Sequence, residues 1–298
     1  MNTGGLWVAL ATPFSDSGDV DRAAFVRLVE HTVKGGVHTL VVLGSTGEAA
    51  TLEEAERDTL IELCLAHRGS AQVVVGTGHN STAQAARWTK RAQELGAHGA
   101  LVVTPYYNKP MPAGMVAHYT RVADSAPGLP IAAYNVPGRT GINLAPATVA
   151  QLWRIESLVA LKESSGNLGQ IDELARELPE GKALLAGDDH LALPSIAVGA
   201  SGLVSVVANL LPDATLRLVK AALAGDLVAA RSWQRRLAPT IEALFVESNP
   251  IPLKAGLLHL GLAKDHCRLP LTRPTEATRA RLVQALDQSE LVGRSTPR

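Results

Sequence analysis

Ser157-Leu-Val-Ala-Leu-Lys-Glu-Ser-Ser-Gly166 is the stretch on which the reading of this chain turns. Residues 158–161 form a short continuous apolar run followed by turn residues, the pattern of a buried strand. The run ends on Lys162. An ammonium at the end of a buried strand is unfavourable unless the charge or the amine is used. Burial favours the free amine over the ammonium, and the free amine is the form that attacks carbonyls. The plain alternative is a lysine whose stem lies along apolar surface while its head reaches water.

Outward from this strand, similar runs recur at 6–10, 39–43, 72–75, 100–103, 130–134, 183–186 and 202–207. Helical spacing lies between them. Phe25, Leu28, Val29 and Val33 form one apolar face, stopped by Gly35 and Gly36. Leu60, Ile61 and Cys64 follow a Thr51–Glu54 capping box, and Ala85, Trp88, Ala92 and Leu95 follow a Ser81–Gln84 one. Residues 115–123 and 147–153, the face Ile171, Leu174 and Leu178, and residues 191–198 supply the next helices. Asp213 is expected to cap a helix carrying Leu216, Val219 and Leu223. The strands are too apolar to alternate, which means both faces are covered, as in parallel sheets. Eight such strand–helix units favour an α/β fold closed into a (β/α)8 TIM barrel over an open sheet. The units fill 1–224, read as the catalytic barrel domain. Residues 225–298 show no strand pattern; helices at 227–246, 253–260 and 275–286 are expected to pack on the barrel as a C-terminal three-helix extension.

The bulk numbers narrow the function. With 298 residues and 46% hydrophobic content, the chain supports a sizeable core. Its 28 basic residues balance 28 acidic ones, so there is no electrostatic footprint for nucleic acid or an acidic membrane. Cys64 and Cys267 lie far apart and read as buried small apolar residues rather than a bridge. Met1-Asn-Thr-Gly-Gly5 lacks the basic flank and apolar core of a signal peptide, and no apolar run reaches the roughly 20 residues of a membrane span. A cytoplasmic protein is expected.

In such barrels the chemistry sits at the C-terminal ends of the strands. The second strand ends in Gly44-Ser-Thr-Gly-Glu48, a tight turn whose backbone N–H groups can converge on a carboxylate. The fourth ends in Thr104-Pro-Tyr-Tyr107, where paired tyrosines suit an interface or a proton path. The fifth ends on Tyr134, an acid/base candidate beside an amine, followed by Asn135-Val-Pro-Gly-Arg139. The seventh ends in Gly187-Asp-Asp-His190, which looks metal-like. Adjacent residues rarely all point at one ion, so helix capping is the expected role and no metal is expected. The eighth runs into Val204 and Ser205. Amine, phenol, hydroxyls, anion nest and guanidinium thus fall at the same end of the inferred barrel.

Gly44-Ser-Thr-Gly-Glu48, Thr104-Pro-Tyr-Tyr-Asn108, Tyr134-Asn-Val-Pro-Gly-Arg-Thr-Gly141 and Leu161-Lys-Glu163 together resemble the 4-hydroxy-tetrahydrodipicolinate synthase (dihydrodipicolinate synthase) family. That family belongs to the class I aldolase superfamily that also holds N-acetylneuraminate lyase. The resemblance runs from Gly4 to about Leu286 and takes in Gly187-Asp-Asp189 and residues 245–252. It implies that Lys162 forms an imine with pyruvate, with no metal or organic cofactor. The enamine would then attack L-aspartate 4-semialdehyde, the first committed step towards diaminopimelate and lysine. Tyr134, Ser45 and Tyr107 would form a hydroxyl relay. The backbone N–H groups of Ser45 and Thr46 would hold the pyruvate carboxylate, the Val204 carbonyl would face pyruvate, Gly187 would adjoin the substrate, and Arg139 would clamp the semialdehyde carboxylate. Tyr107 would reach a neighbouring subunit, implying a homodimer or homotetramer.

Two departures matter. Ser45 stands where threonine is usual in the synthases and serine is common in the neuraminate lyase branch; the hydroxyl is kept but the β-branched stiffness is lost. Arg139 pulls the other way, since the lyases lack it. Gln84 cannot supply the carboxylate that feedback-inhibited synthases use to bind lysine, so weak or absent lysine inhibition is expected. The competing expectation is a pyruvate-dependent aldolase of the same superfamily acting on a sugar acid or hydroxy-oxo acid. A non-catalytic ligand-binding paralogue is a third, against which Lys162, Tyr134 and Tyr107 all speak.

Overall fold

Eight parallel strands close into a barrel in strict sequence order, β1 hydrogen-bonding to both β2 and β8. A computed structural model describes residues 3–291. The strands are β1 Gly5–Ala9, β2 Thr39–Val42, β3 Gln72–Gly76, β4 Gly99–Val103, β5 Ile131–Asn135, β6 Leu158–Glu163, β7 Ala183–Ala186 and β8 Gly202–Ser205. Around them lie α1 Arg22–Lys34, α2 Glu54–His67, α3 Thr82–Glu94, α4 Pro112–Ser125, the short α5 Pro137–Thr140, α6 Pro146–Leu152, α7 Leu168–Arg176, α8 Ala192–Ala197 and α9 Pro212–Leu223. Then come α10 Leu227–Leu244, α11 Ile251–His259 and α12 Glu276–Ser289, with no further strand among the described residues. The tail at 292–298 and the start of the N-terminal stretch, Met1 and Asn2, lie outside the described residues.

The strands read as continuous apolar runs because each face meets a different core. Trp7, Ala9, Val41, Val74, Leu101, Ala132, Ala160, Leu185 and Val204 pack together in the barrel interior. Their neighbours Leu6, Val8, Leu40, Val73, Val75 and Leu161 belong to a second cluster shared with the helices. A period of two therefore sorts residues between two apolar environments rather than between oil and water. Lys162 has the parity of Ala160 and points inward. The added helices close the assembly: α10 packs on α9 and α12, and α11 on α12.

Local details differ from the sequence expectations. The capping box at the start of α2 is Glu53–Glu56, two residues after the expected one, while the Thr51 hydroxyl donates to the Glu48 carbonyl. Ser81 is the N-cap of α3 but makes no capping hydrogen bond. Asp213 lies inside the first turn of α9, after Leu211 and Pro212, and pairs with Arg217. Strand β8 ends at Ser205; residues 207–209 form a 3-10 turn instead. Cys64 and Cys267 are free and buried.

Candidate active site

Lys162 is only 6% exposed, and Tyr134 is 7% exposed. The two are direct register partners across β5 and β6, and the Lys162 Nζ lies 4.1 Å from the centroid of the Tyr134 ring. Their pairing depends on an irregularity. Ile131 pairs with Leu158 but Ala132 pairs with Ala160, so Val159 is an extra residue that re-aims everything beyond it. The end of β7 presses on the same lysine. A Cβ at Gly187 would come within 3.0 Å of Lys162 Cε and 1.8 Å of Ser164 Oγ, so only glycine permits this approach.

The turn after β2 forms the opposite wall. Gly47 N–H donates to the Gly44 carbonyl and Glu48 N–H to Ser45, drawing Ser45-Thr-Gly47 into one 3-10 turn. The N–H groups of Ser45 and Thr46 lead that turn, where helical geometry leaves donors without internal acceptors. Thr46 is buried and Ser45 is exposed. Glu48 leaves the turn in the left-handed region, at φ 50°, and its carboxylate is buried against Lys254 of α11, 2.7 Å away. The ammonium of Lys254 also donates to the carbonyls of Thr12 and His266.

Asn249 is the site residue that sequence reasoning passed over. Its Nδ2 donates to Thr46 Oγ1 at 3.0 Å, and its carbonyl accepts from Arg139 at 3.1 Å. It thereby ties the turn after β2 to the Arg139 guanidinium. The only local signal was turn punctuation, Asn249-Pro-Ile-Pro252, at the entry to α11. A pocket of about 400 Å³ opens beside the turn after β2, lined among others by Ser45, Tyr106, Tyr134, Arg139 and Asn249, with Lys162 behind Tyr134 and outside the lining. That volume suits small-molecule substrates.

Not every candidate converges. Tyr107 projects from the surface, 86% exposed, at φ 74°. Among the described residues, no hydrogen bond joins Ser45, Tyr107 and Tyr134. Val204 is fully buried in the barrel interior. Burial raises the Asp188 carboxyl above the usual range, against the opposing pull of Lys162. Asp189 does cap, but not its own helix: it accepts from Ser205 Oγ and from the N–H groups of Val206 and Val207 after β8. Among the described residues no group of three or more His, Cys, Asp or Glu side chains is placed to hold a metal ion.

The closed (β/α)8 barrel carries a buried amine near the end of β6 beside a phenol ring, and its homologues make the protein a lyase of the Schiff-base-forming class I aldolase type. The dihydrodipicolinate synthetase family model matches residues 2–289, and the chain belongs to that family. It is 45% identical over 285 residues to a 4-hydroxy-tetrahydrodipicolinate synthase of an Exiguobacterium species, covering 95% of this chain and 97% of the relative. The crystal structure of dihydrodipicolinate synthase from Aquifex aeolicus superposes with a TM-score of 0.93 at 40% identity, covering 97% of this chain and 98% of the other. The chloride-inhibited dihydrodipicolinate synthase from Acinetobacter baumannii, complexed with pyruvate, superposes with a TM-score of 0.95 at 38% identity, covering 98% and 100%.

Proposed function

We propose that this protein condenses pyruvate with L-aspartate 4-semialdehyde to give 4-hydroxy-tetrahydrodipicolinate, on the way to diaminopimelate and lysine. The observation that carries this reading is the buried Lys162 amine against the Tyr134 ring, in a family whose relatives bear the synthase name. The amine of Lys162 adds to the pyruvate ketone, and loss of water gives a protonated imine. That cation withdraws electrons from the methyl group, which loses a proton to give an enamine. The enamine carbon attacks the aldehyde of the semialdehyde. The substrate's own amino group then displaces Lys162 as the ring closes. Protons pass at Tyr134. The imine supplies the electron sink, so no metal or organic cofactor enters the scheme.

The Ser45 and Thr46 N–H groups are proposed to hold the pyruvate carboxylate, with Gly187 and the Val204 carbonyl beside the bound keto acid. Arg139 takes the second substrate's carboxylate, a task its planar fork suits. The exposure of Tyr107 supports a relay completed across a subunit interface, Tyr107 of one subunit serving Ser45 and Tyr134 of another. The active form is then a homodimer or homotetramer, located in the cytoplasm. No helix among the described residues is long and apolar enough to cross a membrane. Residues 1–224 are read as the catalytic domain and 225–298 as its helical support.

Borohydride reduction in the presence of pyruvate tests the chemistry: one reduced pyruvyl adduct is expected, on Lys162 alone. An unmodified protein sinks the reading. A second reading, a pyruvate-releasing aldolase for a sugar acid or hydroxy-oxo acid, is favoured by Ser45 in the relay position. Turnover with pyruvate plus semialdehyde, against a panel of aldol products, separates the two.

A further inference from the structure

We infer that the buried side-chain clamp of Asn135, Asn143, Glu163 and Gln170 is a positioning device, which locks the strand register that places Lys162 opposite Tyr134. The inference rests on the imine chemistry proposed above. Without the extra residue Val159, Tyr134 would pair with Leu161, and Lys162 would sit opposite Asn135. A slip of one residue turns every later side chain of a strand to the other face. The reactive amine therefore depends on the bulged register, and something beyond the bulge must favour it.

The pair immediately after Tyr134 and Lys162 is Asn135 and Glu163. Their side chains take the opposite face of the strands from the amine, and they are 0% and 1% exposed. Asn135 Nδ2 donates to Glu163 Oε2 at 2.9 Å and to Asn143 Oδ1 at 2.8 Å. Asn135 Oδ1 accepts from the N–H of Leu144. Gln170, in the first turn of α7, donates to Glu163 Oε2 and to Asn143 Oδ1, and its own Oε1 accepts from Asn143. The second Glu163 oxygen accepts from the N–H of Ser165 at 2.7 Å. The carboxylate is thus held by neutral donors from β5, the chain after β6 and α7, and no ion pair to it is found among the described residues. In a slipped register this buried carboxylate would lose the donors that satisfy it, which is costly. The clamp thereby penalises the register in which Lys162 leaves Tyr134. A displacement near 1 Å in such geometry is enough to slow a reaction about 100-fold.

The test measures two quantities in the full-length protein: pyruvate affinity by calorimetry, and the single-turnover rate of imine formation by borohydride quench and mass spectrometry. Wild type must first trap pyruvate on Lys162; a failure there strikes the chemistry proposed above and leaves the clamp aside. E163A and N135A are expected to form the imine about 10- to 100-fold more slowly, with pyruvate affinity within about threefold of wild type. The double variant is expected to be no slower than the worse single one, because the two act as a unit. Wild-type rates, equal losses of rate and affinity, or multiplicative losses in the double variant overturn the inference. E163Q keeps the volume and one acceptor oxygen, and it decides the matter if the alanine variants do not fold. It is expected to slow imine formation several-fold at unchanged affinity, and a wild-type rate overturns the inference.

Discussion

Lys254→Met puts the support of the turn after β2 to the test. Lys254 and Glu48 are 0% and 1% exposed at the side chain and 2.7 Å apart. Burial pulls the lysine below its ordinary range, and Glu48 opposes that pull. Its other two donors go to the Thr12 carbonyl at 2.6 Å and the His266 carbonyl at 2.9 Å. Methionine fills nearly the same volume but leaves the Glu48 carboxylate without its cation, holding only the N–H of Arg268. Removing one partner of a buried pair costs about 3–5 kcal/mol. For a chain of this size that corresponds to a fall in Tm of about 5–8 °C. Replacing both partners, Lys254→Met with Glu48→Gln, removes the stranded charge and is expected to recover about half of the loss. Equilibrium denaturation of the two single variants and the double one gives the coupling directly. Because Glu48 ends the turn that carries Ser45 and Thr46, KM for pyruvate is expected to rise in Lys254→Met and to fall back in the double variant. A loss below about 1 kcal/mol, or single losses that simply add, would refute the assignment of this pair as the turn's anchor.

Arg139→Lys keeps the charge but not the fork, so KM for the semialdehyde should rise about 10-fold while pyruvate affinity stays put; a parallel rise in both would show that Arg139 does not discriminate the substrates. Lysine is expected to inhibit steady-state turnover weakly, at millimolar concentration or above, or not at all, because Gln84 is neutral and its Oε1, like Glu54, is held by Arg87. Micromolar inhibition would contradict that. Acid should destabilise the protein through His118, buried and pushed down to about 4. The unfolded chain takes up the proton at about 6.5 and the folded one only near 4, so stability is full above 6.5 and declines as pH falls between those values, by about 3 kcal/mol at most. Urea midpoints of wild type and His118→Gln across pH 7 to 4.5 should converge; parallel curves would exclude this group.

Much of the site was readable without coordinates. The β6 run ending on Lys162 and the β5 run ending on Tyr134 are local patterns, and local patterns need only a few residues to declare themselves. Apolar runs without alternation likewise announced a sheet covered on both faces. Helix starts were less legible. Thr51–Glu54 and Glu53–Glu56 both satisfy polar spacing at the start of α2, and only the path of the chain after the Glu48 turn selects the second.

What the chain order determined by itself was the rhythm of strands and helices, and therefore which residues stand at the catalytic end. Only closure of the barrel decided how those ends meet. Val159 slips β6 past β5 by one residue, Asn249 crosses 203 positions to reach Thr46, and Lys254 comes from α11 to neutralise Glu48. Such contacts leave no periodic trace, because they arise where separate elements pack and not along any one of them.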